Sequence, residues 1–391
     1  MKLVVFGLSI SSSWGNGHAT LWRALCRALG SQGYSTVFFE RDVPYYAEHR
    51  DCTEPAGCSL RLYSSWESIR NEALKECSDA DVAMVTSYCP DGPAACEIVL
   101  NSKAQVRCFY DLDTPVTLVR LRAGEKVEYL PEAGLGGFDL VLSYTGGSAL
   151  EILRRDLGAK MVAPLYGSVD PLVHQPAPPN PDFTCDLSYL GTYAHDRQAA
   201  LEELFITPAR VRPEMRFVIG GAQYPQEFPW TPNIFFVRHL PPQFHPSFYS
   251  SSRATLNVTR AAMAEMGYCP SGRLFEAAAC GVPILTDTWD GLEQFYKPGS
   301  EIVACQSTQD VLGALELTHE ELRRISVAAR ERTLSEHTAT HRAIELDSAL
   351  RRAYDGRNVG HHTSSRPGEP DTAPGILEGT VAGREPIRRG N

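Results

Sequence analysis

Short apolar runs alternate with amphipathic helical patterns along the first half of the chain. The run LVVFGLSI predicts a buried β-strand, HATLWRALCRALGSQG predicts a helix that ends at glycine, and STVFFE predicts a second strand. The runs DVAMVTSY, VRCFYDLD and FDLVLSY follow, each β-rich and each leading into polar or glycine-containing turns. Alternation of this kind is typical of a parallel sheet that is wrapped by helices.

The second half repeats this plan after a proline-rich segment. The segment HQPAPPNPDFTC has four prolines between Gln175 and Asp182, which favours an interdomain linker. Beyond it, the strand candidates DLSYLGTY, MRFVIGGA, IFFVRHL, ATLNVTR, VPILTD and EIVAC alternate with the helix patterns QAALEELF, GRLFEAAACG and TQDVLGALEL. We therefore predict an α/β protein with two Rossmann-like, doubly wound domains that face a cleft.

These patterns divide the chain into five predicted segments. We expect an N-terminal domain over residues 1–172, a linker over 173–184 and a C-terminal domain over 185–335. A helix over 336–356 is expected to cross back and pack on the N-terminal domain. Residues 357–391 have little apolar content and many helix breakers, so we predict that they are disordered.

Length and composition fit a two-domain soluble protein. The chain has 391 residues, which is beyond the size at which single cores stop growing, and 43% of them are hydrophobic and 21% charged. No apolar run approaches the roughly 20 residues that a membrane-spanning helix needs. MKLVVFGLSI leads directly into a strand pattern without a cleavage site, so we expect no signal peptide and a cytoplasmic location.

Charge and cysteine content exclude some classes of function. The net charge of −10 argues against a protein built mainly to hold nucleic acid, because phosphate binding needs clustered Lys and Arg. The 11 cysteines include no CxxC pair, which indicates reduced thiols and no structural zinc site.

The segment SGRLFEAAACGVPILTD, residues 271–287, has an acid, Glu276, between apolar residues. We expect a helix that begins near Arg273, with Glu276 in its first turn. The unpaired N–H groups of the helix start and the Arg273 guanidinium would attract a diphosphate, and the carboxylate would accept hydrogen bonds from a ribose diol. The alternative is a first-turn acid that only complements the helix dipole.

The longer stretch SGRLFEAAACGVPILTDTWDGLEQFY resembles the donor-binding segment of GT-B glycosyltransferases, especially the CgeB-like group. YDLDTPVTL, YLGTYAHDRQ and SEHTATHRA resemble the same group and occur in the same order. The resemblance implies a glycosyltransferase, a hexosyltransferase or a related enzyme, with a nucleotide-sugar donor as co-substrate. A UDP-sugar is the first expectation, without any other cofactor and without a metal ion.

The resemblance also implies a set of donor-binding residues. Glu276 would bind the nucleotide ribose, the loop at Gly191 would approach the diphosphate, and Asp290 and Glu293 would reach the sugar hydroxyls. The full donor-side set comprises Gly191, Arg197, Arg260, Ser271, Gly272, Arg273, Glu276, Asp290 and Glu293. For Arg197, a surface helix cation is the alternative. Many retaining relatives carry a second Glu eight residues before the ribose-binding acid, where this chain has Tyr268, so the stereochemical course stays open.

The loop SISSSWGNGHAT joins the first strand to the first helix on the acceptor side. Its glycines permit sharp turns that place His18 at the helix start, facing the cleft, as a catalytic base or sugar contact. Helix capping by this histidine is the alternative. We expect Trp14, Asn16 and Asp111 to contact the acceptor.

Asp111 and Asp113 form a D-x-D pair in FYDLDTP. This is the metal–diphosphate motif of the other major glycosyltransferase fold, which has a single nucleotide domain, whereas this chain is predicted to have two. We therefore assign Asp113 to binding or deprotonating the acceptor, with a turn-forming aspartate as the alternative.

A dinucleotide-dependent oxidoreductase is the main competing function. Gly15 and Gly17 follow the first strand, and Glu40 ends the second strand, where a ribose-binding acid belongs. Against it, Thr20 occupies the third glycine position and the second domain repeats the α/β plan. A two-domain sugar-binding protein without catalysis is a third class. The sequence predicts neither the acceptor (glycan, protein, small molecule or modified nucleic acid) nor the oligomeric state.

Overall fold

The computed structural model describes residues 1–363, which form two parallel β-sheets flanked by helices. The N-terminal sheet has the order β3-β2-β1-β4-β5-β6-β7 and the C-terminal sheet the order β10-β9-β8-β11-β12-β13. The strands are β1 Lys2–Gly7, β2 Ser35–Arg41, β3 Cys58–Tyr63, β4 Val82–Thr86, β5 Val106–Asp111, β6 Leu140–Ser143, β7 Val162–Pro164, β8 Cys185–Leu190, β9 Phe217–Gly221, β10 Ile234–Arg238, β11 Ser252–Asn257, β12 Ile284–Thr286 and β13 Val303–Ala304.

The helices lie on both faces of each sheet and connect successive parallel strands. In the N-terminal half they are α1 Gly17–Ser31, α2 Pro44–Ala47, α3 Trp66–Ser78, α4 Gly92–Asn101, α5 Thr114–Arg122 and α6 Ser148–Leu157. In the rest of the chain they are α7 Gln198–Leu201, α8 Thr207–Val211, α9 His245–Ser250, α10 Ala261–Met266, α11 Gly272–Ala279, α12 Thr308–Glu316, α13 His319–Glu336 and α14 Ala339–Thr363. A π-helical turn, Glu202–Ile206, joins α7 to α8.

Both sheets have a topological switch point, where the chain reverses its direction of winding. The switch lies between β1 and β4 in the first sheet and between β8 and β11 in the second. The central strands are buried on both faces; Leu3, Val4, Val5 and Phe6 of β1 have no exposed surface. Because loops diverge at a switch point, each sheet opens a crevice at the carboxyl ends of these strands.

The last helix crosses back to the N-terminal domain, as predicted. Leu346 and Leu350 of α14 are buried in the same core cluster as Leu25 and Leu29 of α1. The Tyr34 hydroxyl donates a hydrogen bond of 2.6 Å to Asp347. The helix continues to Thr363, past the end predicted at residue 356, and residues 364–391 of the predicted tail lie outside the described residues.

Three elements differ from the sequence prediction. The edge strands β3 and β7 were not predicted, and β3 is mostly only half-buried, so SLRLY lacks the apolar run of a central strand. The segment predicted as a plain loop before Ser271 contains the short helix α10. Among the helices in residues 1–363, none is long and apolar enough to cross a bilayer.

Candidate active site

A cavity of about 660 Å³ lies between the two domains. Its walls are loops at the carboxyl ends of strands in both sheets, which is where open α/β sheets bind ligands. The N-terminal domain contributes Asn16, His18, Tyr88, Asp113 and Tyr144, among others. The C-terminal domain contributes Gly191, Arg197, His239, His245, Arg260, Ser271, Gly272, Arg273 and Glu276, among others.

Strained backbone is concentrated at this cleft. Four non-glycine residues in the described chain have positive φ: Tyr88 (61°), Gln223 (64°), His239 (48°) and Tyr268 (49°). Tyr88 and His239 line the cavity, and the Gln223 amide donates a 3.1 Å hydrogen bond across the cleft to the hydroxyl of Tyr45. Such conformations cost about 1–3 kcal/mol each and cluster at functional sites, so they support a functional cleft.

The loop after β1 is shaped by Glu40. Its buried carboxylate accepts hydrogen bonds from the Ser9 hydroxyl (2.8 Å), the Ile10 amide (2.8 Å), and the amide (3.0 Å) and hydroxyl (2.6 Å) of Ser11. This carboxylate is therefore committed to folding the loop and has no exposed surface to offer a ribose. The oxidoreductase alternative depended on Glu40 as its ribose-binding acid, so the structure does not support it.

His18 and Asp113 form a pair on the N-terminal wall. The distance between His18 Nε2 and Asp113 Oδ2 is 2.9 Å. Asn16 caps α1, its side-chain oxygen accepting from the His18 amide at 3.0 Å, so the histidine itself is not the cap. The other ring nitrogen, Nδ1, is buried and has no hydrogen-bond partner among the described residues.

Asp111 lies at the end of β5 and is buried beneath this pair, outside the cavity lining. Its Oδ1 accepts a 3.1 Å hydrogen bond from the Asp113 amide, and its Oδ2 has no partner. Burial raises the pKa of Asp111 to about 6. The structure therefore places Asp111, predicted to contact the acceptor, where it supports Asp113 instead.

Glu276 lies in the second turn of α11, because the helix begins at Gly272 with Ser271 as its N-cap. The expectation of a first-turn position was wrong, and with it the reading of Glu276 as a mere dipole-complementing acid. The carboxylate faces the cavity, and no described residue donates a hydrogen bond to it. Burial raises the pKa of Glu276, while His245 and then Arg273 act in the opposite direction.

Arg273 ties α11 to the switch point of the second sheet. Its guanidinium donates to the carbonyl oxygens of Leu190 at the end of β8 (2.6 Å) and Val258 just after β11 (3.3 Å). A Cβ at Gly191 would lie 2.6 Å from Arg273 Nη1, so only glycine allows this approach. Arg273, which the sequence predicts to bind a phosphate, is therefore partly occupied by hydrogen bonds to backbone carbonyl oxygens.

Arg197 and Arg260 lie close to Arg273. Burial first, and then the charges of Arg273 and Arg260, lower the pKa of Arg197. Arg197 donates to the Thr192 carbonyl oxygen at 3.1 Å, but its Nε is buried without a partner, and Arg260 pairs with Asp196 at 3.1 Å. Three guanidinium groups therefore concentrate positive charge near the start of α11.

Part of the sequence matches a known family, and the architecture matches known protein structures. Residues 197–348 match the sequence model of a family described as "Glycosyl transferase-like". The structure matches sucrose-phosphate synthase from Thermosynechococcus elongatus with a TM-score of 0.67 and 14% identity, covering 91% of this chain and 100% of that one. The chain has the GT-B fold.

Two further GT-B structures match over nearly their whole length. An alpha-glucosyltransferase in complex with UDP-glucose and DNA containing an abasic site matches with a TM-score of 0.66 and 10% identity, covering 90% of this chain and 99% of that one. Anabaena HepE in complex with UDP-glucose matches with a TM-score of 0.62 and 10% identity, covering 90% and 100%. No functionally curated protein matches the sequence. The CgeB-like subgroup stays a prediction.

Besides Asp111, three residues that the sequence predicts to contact a substrate lie outside the cavity lining: Trp14, Asp290 and Glu293. The Trp14 ring lies between the stacked His49 ring and the tilted His239 ring, with each ring centroid 3.9 Å from that of Trp14. The Asp290 carbonyl oxygen accepts a 2.6 Å hydrogen bond from the Tyr268 amide, and Glu293 is exposed in a short 3₁₀ turn. Tyr268 itself is packed between Gly147 and Gly291, so it fixes the contact between the two domains.

Two histidines next to Glu276 were not predicted. His174 Nε2 lies 3.9 Å and His245 Nδ1 lies 3.8 Å from Glu276 Oε2. Burial lowers the pKa of each histidine to about 4, so both rings are neutral near pH 7. Neither belongs to a motif, since His174 begins the proline-rich segment and His245 precedes a proline; only the folded chain brings them together.

Proposed function

We propose that this protein is a glycosyltransferase that moves a sugar from a nucleoside-diphosphate sugar, with UDP as the first candidate, to an acceptor hydroxyl. The observation that carries the proposal is the Glu276 carboxylate, which faces the interdomain cavity without a hydrogen-bond donor among the described residues, in a cavity that Arg197, Arg260 and Arg273 also line. This combination suits one ligand that presents both a vicinal diol and a diphosphate. The UDP-glucose complexes of Anabaena HepE and of the alpha-glucosyltransferase support the same donor class.

The donor is proposed to bind the C-terminal domain, residues 185–335. Glu276 accepts hydrogen bonds from the ribose, each worth about 1.5–3 kcal/mol because the acceptor is charged. Arg197, Arg260 and the start of α11 at Ser271 and Gly272 hold the diphosphate, with Arg273 adding to the positive charge. The same groups stabilise the charge that develops on the leaving diphosphate, so the transfer step is proposed to need no metal ion.

The acceptor is proposed to bind the N-terminal domain, residues 1–172. Asp113 holds the His18 imidazole through Nε2, and the His18–Asp113 pair takes the proton of the attacking hydroxyl. The two domains together then hold acceptor oxygen and anomeric carbon in reacting distance, which lowers the entropic part of the barrier. The deep position of Asp111 assigns it to supporting Asp113.

A calorimetric binding screen with the full chain tests the donor assignment. UDP, GDP, dTDP, their common sugar conjugates and NAD(H) are titrated in the presence of EDTA into the wild type and Glu276→Ala. We expect micromolar binding of one nucleoside diphosphate and its sugar conjugate, with the affinity lost in the variant. Binding of NAD(H) alone, unchanged by the substitution, would contradict the proposal.

A further inference from the structure

The side chains of His174, His245 and Glu276 converge beside the cavity without forming hydrogen bonds to one another. His174 lies between β7 and β8, His245 begins α9, and Glu276 lies in α11, so three separate segments meet here. Glu276 Oε2 is 3.9 Å from His174 Nε2 and 3.8 Å from His245 Nδ1. The three nearest ligand atoms all lie within 4.8 Å of one another.

Ring nitrogens of both histidines lie next to the Glu276 carboxylate without forming a hydrogen bond to it. His245 Nε2 donates to the Leu240 carbonyl oxygen at 3.2 Å, so Nδ1 of the neutral ring carries a lone pair toward the carboxylate. Among the described residues, neither ring nitrogen of His174 has a hydrogen-bond partner, and His245 Nδ1 has none either. The His245 lone pair and a carboxylate at this distance repel each other unless a proton, a water molecule or a cation lies between them, and the neutral His174 ring can offer a second lone pair at the same place.

We propose that His174, His245 and Glu276 bind one divalent transition-metal ion of the zinc type, with an open coordination position toward the cavity. Two imidazoles and one carboxylate form a donor set that zinc accepts while keeping a position for a further ligand. The hydrogen bond from His245 Nε2 to a backbone carbonyl is the outer-shell contact that orients a metal-bound histidine.

The spacing is close to what such an ion requires. Zinc bonds of about 2.0–2.1 Å in tetrahedral geometry place neighbouring ligand atoms about 3.4 Å apart. The observed 3.8 and 3.9 Å lie about half an ångström outside that value, and the two histidine nitrogens lie within 4.8 Å of each other, so side-chain rotations are needed to bring all three atoms to one ion. Since both imidazoles are buried beside Glu276, the three side chains are already gathered before the ion arrives.

The ion would regulate donor binding, because it takes the same carboxylate. A metal-bound Glu276 no longer accepts hydrogen bonds from a ribose diol, so zinc and the nucleotide compete. This competition rests on the proposed function, whereas the metal binding does not. The site therefore makes donor binding sensitive to the concentration of free zinc.

Zinc titration of the metal-depleted full-length protein tests the site. Binding is followed by competition with a chromophoric chelator for the wild type, His174→Ala, His245→Ala and the exposed-histidine control His319→Ala. We expect one tight ion per chain in the wild type and the control, and a loss of more than about 100-fold in affinity in each site variant, since losing only an outer-shell partner already costs about 10–100-fold. Equal zinc affinity in all four proteins would overturn the proposal.

A cobalt titration of the wild type tests the site without any variant, so its result does not depend on whether the variants fold. Co²⁺ added to the metal-depleted wild type is expected to give intense visible bands of a low-symmetry, four- or five-coordinate site, which zinc then abolishes. Only the weak spectrum of octahedral Co²⁺ would overturn the proposal even if the alanine variants fail to fold.

The competition is measured by repeating the UDP titration with zinc present and with EDTA. We expect zinc to weaken UDP binding in the wild type and to have no effect in His174→Ala, whose side chain lies outside the cavity lining. Zinc binding without any UDP binding in EDTA would refute the proposed function and leave the metal site standing. Simultaneous, independent binding of both would refute the competition.

Discussion

The two walls of the cleft are built from the same kind of element but carry opposite chemistry. On the N-terminal wall, the carboxylate of Asp113 and the imidazole of His18 satisfy each other at 2.9 Å and leave one ring nitrogen free. On the C-terminal wall, no described residue donates a hydrogen bond to Glu276, and three arginines lie close together. The first arrangement suits proton transfer, and the second suits capture of an anion with a diol.

The two walls show how the same sheet topology can present two different sets of side chains. Both walls use loops at the switch points of parallel sheets, between β1 and β4 and between β8 and β11. The difference lies in how each functional side chain is held. On the N-terminal wall, the Asn16 side chain caps α1, and His18 pairs with Asp113. On the C-terminal wall, a backbone carbonyl oxygen holds Arg273, and Arg197 Nε has no hydrogen-bond partner among the described residues.

His18→Ala should give the largest functional change on the N-terminal wall. Loss of a general base lowers turnover by about 10²–10⁴-fold. We expect kcat to fall by this amount while the affinity for the donor, measured by calorimetry, stays the same. Asp113→Asn should lower kcat in the same direction, since it disturbs the ring's orientation. A His18→Ala enzyme with full turnover would remove the proton-transfer role.

Asp111→Asn tests the buried carboxylate under the same wall through its pH dependence. The folded pKa of about 6 lies above the ordinary 3.8, so this group's contribution to stability is complete below about pH 4 and is lost as the pH rises through 6. The shift of about two pKa units corresponds to about 3 kcal/mol.

We therefore expect the free energy of unfolding of Asp111→Asn, minus that of the wild type, to increase by up to this amount between pH 4 and pH 7, because only the wild type loses stability over this range. Urea unfolding at the two pH values measures it. An unchanged difference between the two proteins would show that Asp111 ionises normally.

Arg197→Gln probes the three arginines of the C-terminal wall. The guanidinium lies close to two other arginines, so its removal leaves a weaker but still positive site. We expect the affinity for UDP to fall by about 2 kcal/mol, or about 30-fold, in line with one hydrogen bond to a charged group. Arg352→Gln, a change in an exposed arginine of α14, is the matched control. Equal losses in both variants would point to bulk charge instead of a local contact.

Tyr45→Phe should give the smallest change, at the contact between the walls. It removes the hydroxyl that accepts from the Gln223 amide at 3.1 Å and leaves the ring in place. A neutral hydrogen bond contributes about 0.5–1.5 kcal/mol, so we expect KM for the donor to rise by less than about 10-fold with kcat unchanged. A larger effect on kcat would show that this contact controls the reacting geometry.

The fold was predictable from the sequence wherever apolar runs marked central strands. LVVFGLSI and STVFFE became β1 and β2, and GRLFEAAACG became α11. The edge strand β3 escaped because an edge strand needs no continuous apolar run, and β7 escaped because Pro164 interrupts the short apolar run MVAPLY. The helix α10 escaped because AAMAEM is short and flanked by turn residues.

The candidate site was predictable only where a local pattern carried it. Glu276 stood out as an acid inside an apolar helix, and His18 stood out after two glycines. The register of Glu276 was wrong because the helix starts one residue early, at Gly272. The convergence of His174 and His245 on Glu276 depends on tertiary packing of distant segments, which no spacing in the sequence reveals.

The most direct test of the donor site compares two carboxylates of the C-terminal domain. UDP is titrated in EDTA into the wild type, Glu276→Gln and Glu293→Gln, where Glu293 is an exposed acid outside the cavity. The account predicts micromolar binding by the wild type and Glu293→Gln, and binding weaker by at least about 10-fold in Glu276→Gln. Equal affinity in all three proteins would contradict the assignment of Glu276 to the nucleotide ribose.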